Sequence, residues 1–212
     1  MTKFETLIFI PEGSLLNEKV AERNALSQTL KSMQQFGPSE RLKYTKLQEK
    51  TKLLGLNKRI SLILNTFNLQ PEIFSINLQK QHQLVKGTIS FLDAVVDQIN
   101  LIMLAKESKQ IIIPRLEQSA LLTYFSATYF ADDFTQELPA KSVLAQVVRQ
   151  EQLDPDTCLV IGTDLADEIQ GAVNTNLQSL WLAPKKSKLP ISPHPTLHLN
   201  KLSDLLFYLN LS

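Results

Sequence analysis

The chain has 212 residues, of which 43% are hydrophobic and 20% charged, and its formal net charge is +1. That length carries one substantial domain or two small ones, and that balance excludes a disordered or fibrous polypeptide. No apolar run approaches the roughly 20 residues of a membrane-crossing helix, and Met1 to Ser14 lacks the charged head, apolar middle and small-residue cleavage site of a secretory leader, so a cytoplasmic address without membrane contact is expected. The single cysteine, Cys158, excludes an internal disulfide and a thiolate metal site. Beside Leu159-Val160-Ile161 it reads as a small core residue.

The charge is unevenly spread. Between Leu15 and Arg59 ten Lys/Arg stand against four Asp/Glu, which leaves this stretch at about +6 and the remainder at about −5. Two regions of different character follow. A basic segment can meet phosphate or nucleic acid, but a solvated helical face is the favoured reading. Apart from Phe36 and Tyr44 no aromatic residues are interleaved with the basic residues, short of the stacking series that a single-strand groove requires, so nucleic acid is not an expected partner.

In chain order, Thr6 to Ile10 is a continuous apolar run stopped by Pro11 and Gly13, which predicts a strand buried on both faces, as in a parallel sheet. From Leu15 to about Leu84 the spacing turns helical, with Leu26, Leu30 and Met33 on one stripe and Ile60, Ile63, Leu64 and Phe67 on another. Phe36-Gly37-Pro38 breaks that bundle. Beyond Gly87 the signals alternate. Ile89, Leu92, Val96 and Ile99 form a helical stripe, Leu101 to Leu104 a strand, and Tyr129 to Ala131 a short strand. Val143, Leu144, Val147 and Val148 form a helix face that leads to a turn at Asp154-Pro155-Asp156 and a strand over Cys158 to Ile161. Ile169, Ala172 and Val173 mark another helix, Ser179 to Leu182 another strand, and Leu205, Leu206 and Leu209 a terminal helix. Ile111-Ile112-Ile113-Pro114 fits neither pattern cleanly.

Such alternation predicts an α/β domain with a parallel sheet covered by helices. The bundle interrupts it after the first strand, giving a core of residues 1–14 and 85–212 and a helical insertion of residues 15–84. Ligands of open α/β sheets bind beyond the carboxyl ends of the strands, so the insertion is expected to cap a pocket above Pro11 to Ser14.

The run Thr6-Leu7-Ile8-Phe9-Ile10-Pro11-Glu12-Gly13-Ser14-Leu15-Leu16 resembles the opening motif of the haloacid dehalogenase-like hydrolases, an apolar strand followed by Asp-x-Asp-Gly-Thr-Leu. The likeness continues through Gly87 to Ala94, Leu101 to Lys106 and, most clearly, Asp154 to Trp181. It implies a three-layer Rossmann-like core with a helical cap inserted after the first strand, as in the cap-bearing phosphatases of that superfamily.

The resemblance also implies where chemistry would sit. The family's first Asp attacks phosphorus and becomes an aspartyl phosphate; Ile10 stands there and has no lone pair. The second Asp, a general acid and base, is matched by Glu12 on a longer arm, and Ser14 replaces the usual Thr. Ala105 falls where a hydroxyl binds the phosphoryl group. Leu138 falls where a lysine neutralises it, with Lys106 and Lys141 the nearest candidates to reach the pocket. Thr163 and Glu168 match the fourth-motif carboxylates that hold magnesium, and losing Ile10 and Thr163 as ligands removes much of that site. Asp164 and Asp167 lie nearby, where capping of the following helix is the simpler role.

Phosphate monoester hydrolysis demands up to about 20 kcal/mol of barrier reduction, and losing the covalent step is ordinarily disabling. The expectation is a catalytically impaired or inactive homologue, a pseudo-phosphatase without a metal cofactor. It would act as a binding or regulatory module for a small anionic ligand or a protein partner, with Glu12, Ser14, Lys106, Lys141, Asp164 and Asp167 as residual pocket. Two alternatives stand beside it: a hydrolase with weak or altered phosphatase activity on a small phosphorylated metabolite, and a protein-interaction scaffold whose pocket is filled.

Other signals are weaker. His82, His194 and His198 share no metal-ligand spacing and read as surface or loop residues. Ser14 and Ser108 belong to no visible Ser-His-Asp set, and Gly162 and Gly171 make no phosphate-cradling loop. Lys185-Lys186-Ser187-Lys188 reads as an exposed basic loop, and Trp181 as core.

Overall fold

The computed structural model describes residues 4–51 and 54–211. Residues 1–3, at the start of the stretch read for a leader, and residues 52–53, inside the expected helical region, lie outside them. Six strands form one sheet: β1 (Thr6–Phe9), β2 (Asn100–Leu104), β3 (Ala127–Tyr129), β4 (Cys158–Gly162), β5 (Gln178–Leu182) and β6 (Leu197–Leu199). Their order is β3-β2-β1-β4-β5-β6 and every pairing is parallel. This is a doubly wound Rossmann-like arrangement, with β1 at the centre and the change of winding direction beside it.

The period of two in the central strands divides the core. Leu7 and Phe9 of β1 join Leu101, Met103, Leu159 and Ile161 on one face. Ile8 and Ile10 join Ile102, Leu104, Cys158 and Val160 on the other. Over the first face lie α6 (Thr88–Val95), α7 (Lys109–Gln118) and α10 (Leu205–Tyr208); over the second lie α8 (Lys141–Gln150) and α9 (Gln170–Asn174). Each buried Leu or Ile side chain contributes roughly 1.5–3 kcal/mol relative to exposure, which fixes the register, because a one-residue slip would exchange the faces.

After β1 the chain makes a short kinked turn, α1 (Pro11–Ser14), and enters α2 (Glu18–Ser32), α3 (Pro38–Thr51), α4 (Leu56–Phe67) and α5 (Pro71–Gln79). Asn17 caps α2 by accepting from Val20 N–H at 3.3 Å. These helices bury a cluster of their own, including Leu26, Leu30, Ile63, Phe67 and Phe74. Lys31 and Arg41 are exposed, and both lie over the Phe36 ring. The segment leaves and rejoins the sheet side at one point, where Asn17 N–H donates to Gln83 O (2.8 Å) and Val85 N–H to Leu15 O (2.7 Å).

Several expectations need correction. The isoleucine triplet, which the sequence leaves unassigned, lies in α7, because Ile112 and Leu116 recur at helical spacing against the sheet and Pro114 is accommodated within the helix. β3 begins two residues earlier than expected and ends at Tyr129, leaving Phe130 to start a 3-10 turn. Ile89 points outward, since α6 buries Phe91, Leu92 and Val95 instead. His198 is in β6 rather than a loop, and its ring stacks on Trp181 with centroids 4.7 Å apart.

Candidate functional site

Ile10, Ala105 and Thr163 directly follow β1, β2 and β4, at the carboxyl edge of the sheet. Ile10 is fully buried and packs with the sheet face under α8, among residues such as Ile102, Val143 and Val160. Its carbonyl accepts the Ser14 hydroxyl, so Ser14 is committed to holding the turn. Gly13 reaches φ +93°, and a Cβ there would lie 2.6 Å from Thr163 Oγ1. Only glycine lets β1 and β4 loops approach so closely without strain.

The kink swings Glu12 inward. Its Oε1 accepts from the N–H groups of Lys106 (2.7 Å) and Glu107 (2.9 Å), just beyond β2, while Oε2 is buried without a partner. Burial pushes its carboxyl up to about 7, with Lys106 opposing and Glu18 adding to the rise. Ala105, 2% exposed, offers only a methyl.

Lys106 crosses to the helical turn after β4, where its ammonium pairs with Glu168 Oε1. Glu168 Oε2 accepts from Thr163 N–H (2.6 Å) and Asp164 N–H (3.1 Å). Burial alone would lower Lys106, but Glu168 and then Glu12 outweigh it and hold the ammonium protonated above its ordinary range. Asp164 caps the following turn through Ala166 N–H and Asp167 N–H. Asp167 faces the cleft, its carboxyl raised by burial and by Asp164.

A narrow cleft lies between the start of α4 and the sheet edge and is walled by Leu56, Leu104, Phe134, Leu138 and Val143, with Lys106 and Asp167 among its polar groups. Asn57 Nδ2 donates to Glu137 Oε2 across it at 2.9 Å. Leu138 also packs against Gly171, where an added Cβ would meet its Cδ2 at 2.6 Å. Of the two candidate lysines only Lys106 reaches this cleft. Lys141, the first residue of α8, lines a separate outward depression with Arg149 and Leu177.

Three charged residues escaped the sequence reading. Arg115, fully buried in α7, donates to Gln81 O (2.8 Å), Glu107 Oε2 (2.5 Å) and Glu18 Oε1 (2.5 Å). Four buried carboxylates, Glu12, Glu18, Glu107 and Glu168, thus share two cations, Lys106 and Arg115. The oxygens Glu12 Oε2, Glu18 Oε2 and Glu107 Oε1 find no partner, and burial, against the pull of Arg115, pushes Glu107 up to about 8. A retained proton relieves the excess negative charge. The available signal was a charge at a core position: Arg115 sits on the apolar stripe of Ile112 and Leu116. Among the described residues no three His, Cys, Asp or Glu are grouped to hold a metal ion.

The comparisons agree with this architecture. A family model described as haloacid dehalogenase-like hydrolase matches residues 8–182. The chain is 25% identical to the Bacillus subtilis protein named "Putative HAD-hydrolase YfnB" over 63% of this chain and 57% of that protein. It is 24% identical to the N-acylneuraminate-9-phosphatase of Mus musculus over 56% of this chain and 48% of the enzyme. The matches thus span about half the length of those two relatives. The pyrimidine 5'-nucleotidase PynA of Streptococcus pneumoniae is 23% identical over 96% of this chain and 94% of its own. A crystal structure of the Bacillus protein bound to magnesium superposes with a TM-score of 0.84 at 20% identity, covering 98% of this chain and 99% of that one. That likeness establishes the shared fold.

Proposed function

The chain belongs to the haloacid dehalogenase-like hydrolases, and from that membership we propose that it is a non-hydrolytic member, a pseudo-phosphatase that works as a binding or regulatory module. The observation that carries this reading is Ile10, a fully buried hydrocarbon side chain at the end of β1, in the position that the family motif gives to the nucleophilic carboxylate. Without an oxygen there no phosphoryl-enzyme bond forms. Ala105 and Leu138 extend the argument, since neither supplies the hydroxyl or the ammonium that the motifs place there.

The magnesium implied by the family does not fit these residues. Ile10 has no donor, the Thr163 hydroxyl is directed to Glu12 O at 3.5 Å, and Glu168 is engaged by an ammonium on one oxygen and two N–H groups on the other. Magnesium requires near-octahedral oxygen coordination, and no step is assigned to it. In this reading α2–α5 form the cap of residues 15–84 over this cleft. The cytoplasmic address belongs to the same proposal; among the described residues no helix is long and apolar enough to cross a membrane.

A second reading has one observation in its favour. Burial pushes the Glu12 carboxyl up to about 7, toward the range in which a carboxyl exchanges protons during catalysis, so a weak or altered activity on a small phosphorylated metabolite, the class named in its relatives, would use Glu12. Yet Glu12 Oε1 is tied to two backbone N–H groups. A magnesium-dependent assay on an aryl phosphate separates the two. We expect no turnover from the wild type or from Ile10→Asp, because Ala105, Leu138 and Thr163 remain. Turnover abolished by Glu12→Gln and untouched by a distant surface change would establish the enzyme instead.

A further inference from the structure

Glu168 is 1% exposed, and a carboxylate so deeply buried requires a counter-charge. In its relatives' motif that position belongs to a metal ligand; here the counter-charge comes from the chain itself. Lys106 departs from the end of β2, spans to the helical turn after β4 and places its ammonium on Glu168 Oε1, with its side chain 12% exposed. The remaining oxygen of Glu168 is taken up by the N–H groups of Thr163 and Asp164. On the other side of Lys106, its own N–H is held by Glu12 Oε1. Backbone and ammonium of one residue therefore bind the two carboxylates that flank the edge of the sheet.

We infer that the Lys106 ammonium is the resident cation of this site, standing where the family places magnesium, so that the folded chain neither requires nor admits a divalent metal there. An ammonium in ion-pair contact and a divalent cation cannot share one carboxylate oxygen in a buried setting, since their mutual repulsion is weakly screened. Displacing Lys106 would strand an ammonium inside the protein, while the incoming ion would find neither an oxygen on Ile10 nor a carboxylate at Thr163. The lysine is tethered and needs no free ion to be present, which makes the charge balance of the edge independent of metal supply.

The inference extends the proposed function, and the two fail separately. Metal binding without hydrolysis overturns only the inference, and hydrolysis insensitive to a chelator overturns only the functional reading. The test is thermal unfolding of the full chain after chelator treatment, with magnesium or manganese chloride compared with choline chloride at equal ionic strength. A ligand that binds only the native state raises the melting temperature by mass action. The wild type is expected to melt identically in all three salts, and Lys106→Arg to behave like it. Lys106→Ala should melt lower and recover in part, and specifically, with the divalent ions, because Glu168 Oε1 and Glu12 Oε2, which accept from no backbone N–H group, are left without a cation. Lys106→Met retains the apolar stem and gives the same reading if the alanine variant does not fold. A divalent-specific rise in the wild type overturns the inference, as does a Lys106→Met protein that melts like wild type and ignores the metals.

Discussion

Arg115 Nη2 and Glu18 Oε1 lie 2.5 Å apart with side chains 1% and 5% exposed, joining α7 on the sheet to the first helix of the inserted bundle. The same guanidinium meets Glu107 at 2.5 Å. A single buried cation therefore holds two carboxylates from segments almost ninety residues apart, beside the point where the bundle leaves the sheet. The junction is electrostatic where both neighbouring layers are apolar.

Arg115→Met should destabilise the protein by about 3–5 kcal/mol, because it leaves two buried carboxylates without their partner. Urea unfolding measures this. The triple change Arg115→Met, Glu18→Leu and Glu107→Leu should recover most of the loss. A single variant within about 0.5 kcal/mol of wild type would mean that the pairing contributes little.

Stability should fall as the solution becomes alkaline. Glu107 is raised to about 8 by burial, against Arg115, so the native state holds its proton more tightly than the unfolded chain does. The contribution is fully present below the ordinary carboxylate range near 4.5 and is lost as pH rises through about 8. Melting temperatures should decline across that interval, and Glu107→Gln should flatten the decline. An unchanged slope in the variant would assign the effect to other groups.

Cys158 should resist alkylation in the native state. It is fully buried, and burial, followed by Asp154, pushes its thiol up to about 11, which leaves almost no thiolate at neutral pH. Labelling with a disulfide reagent should track unfolding with denaturant. Rapid labelling of the folded protein would require an open path to β4 that the packing denies.

Gly13→Ala should cost about 1–3 kcal/mol, since it combines a positive φ of 93° with a 2.6 Å approach to Thr163 Oγ1. Chemical denaturation of Gly13→Ala alone and with Thr163→Ala checks the cause. The second change relieves the contact and leaves the backbone strain, so it should recover only part of the loss.

Most of the architecture was legible because its signals are local. The apolar runs of β1, β2, β4 and β5 and the 3.6-residue spacing of α2, α4 and α8 are properties of neighbouring residues. β6 was not legible: Leu197-His198-Leu199 is too short to show a period, and it pairs as a strand because β5 offers an open edge. The isoleucine triplet misleads for the opposite reason, since its β-branched residues favour a strand while the packing of Ile112 and Leu116 beneath the sheet imposes a helix. At the site, the positions of Ile10, Glu12, Ala105 and Thr163 at strand ends followed from motif order.

The sequence by itself determined that a hydrocarbon, Ile10, directly follows β1, because a side chain's chemistry is settled by its identity alone. Only the tertiary structure decided that Lys106, and not Lys141, reaches the cleft, and that Glu18, Glu107 and Arg115 converge. Those facts depend on the direction in which each chain segment leaves the sheet, and that direction is set by closure of long loops around a packed core. Buried charges find their partners only after such closure, so their pairing leaves no periodic trace in the order of the residues.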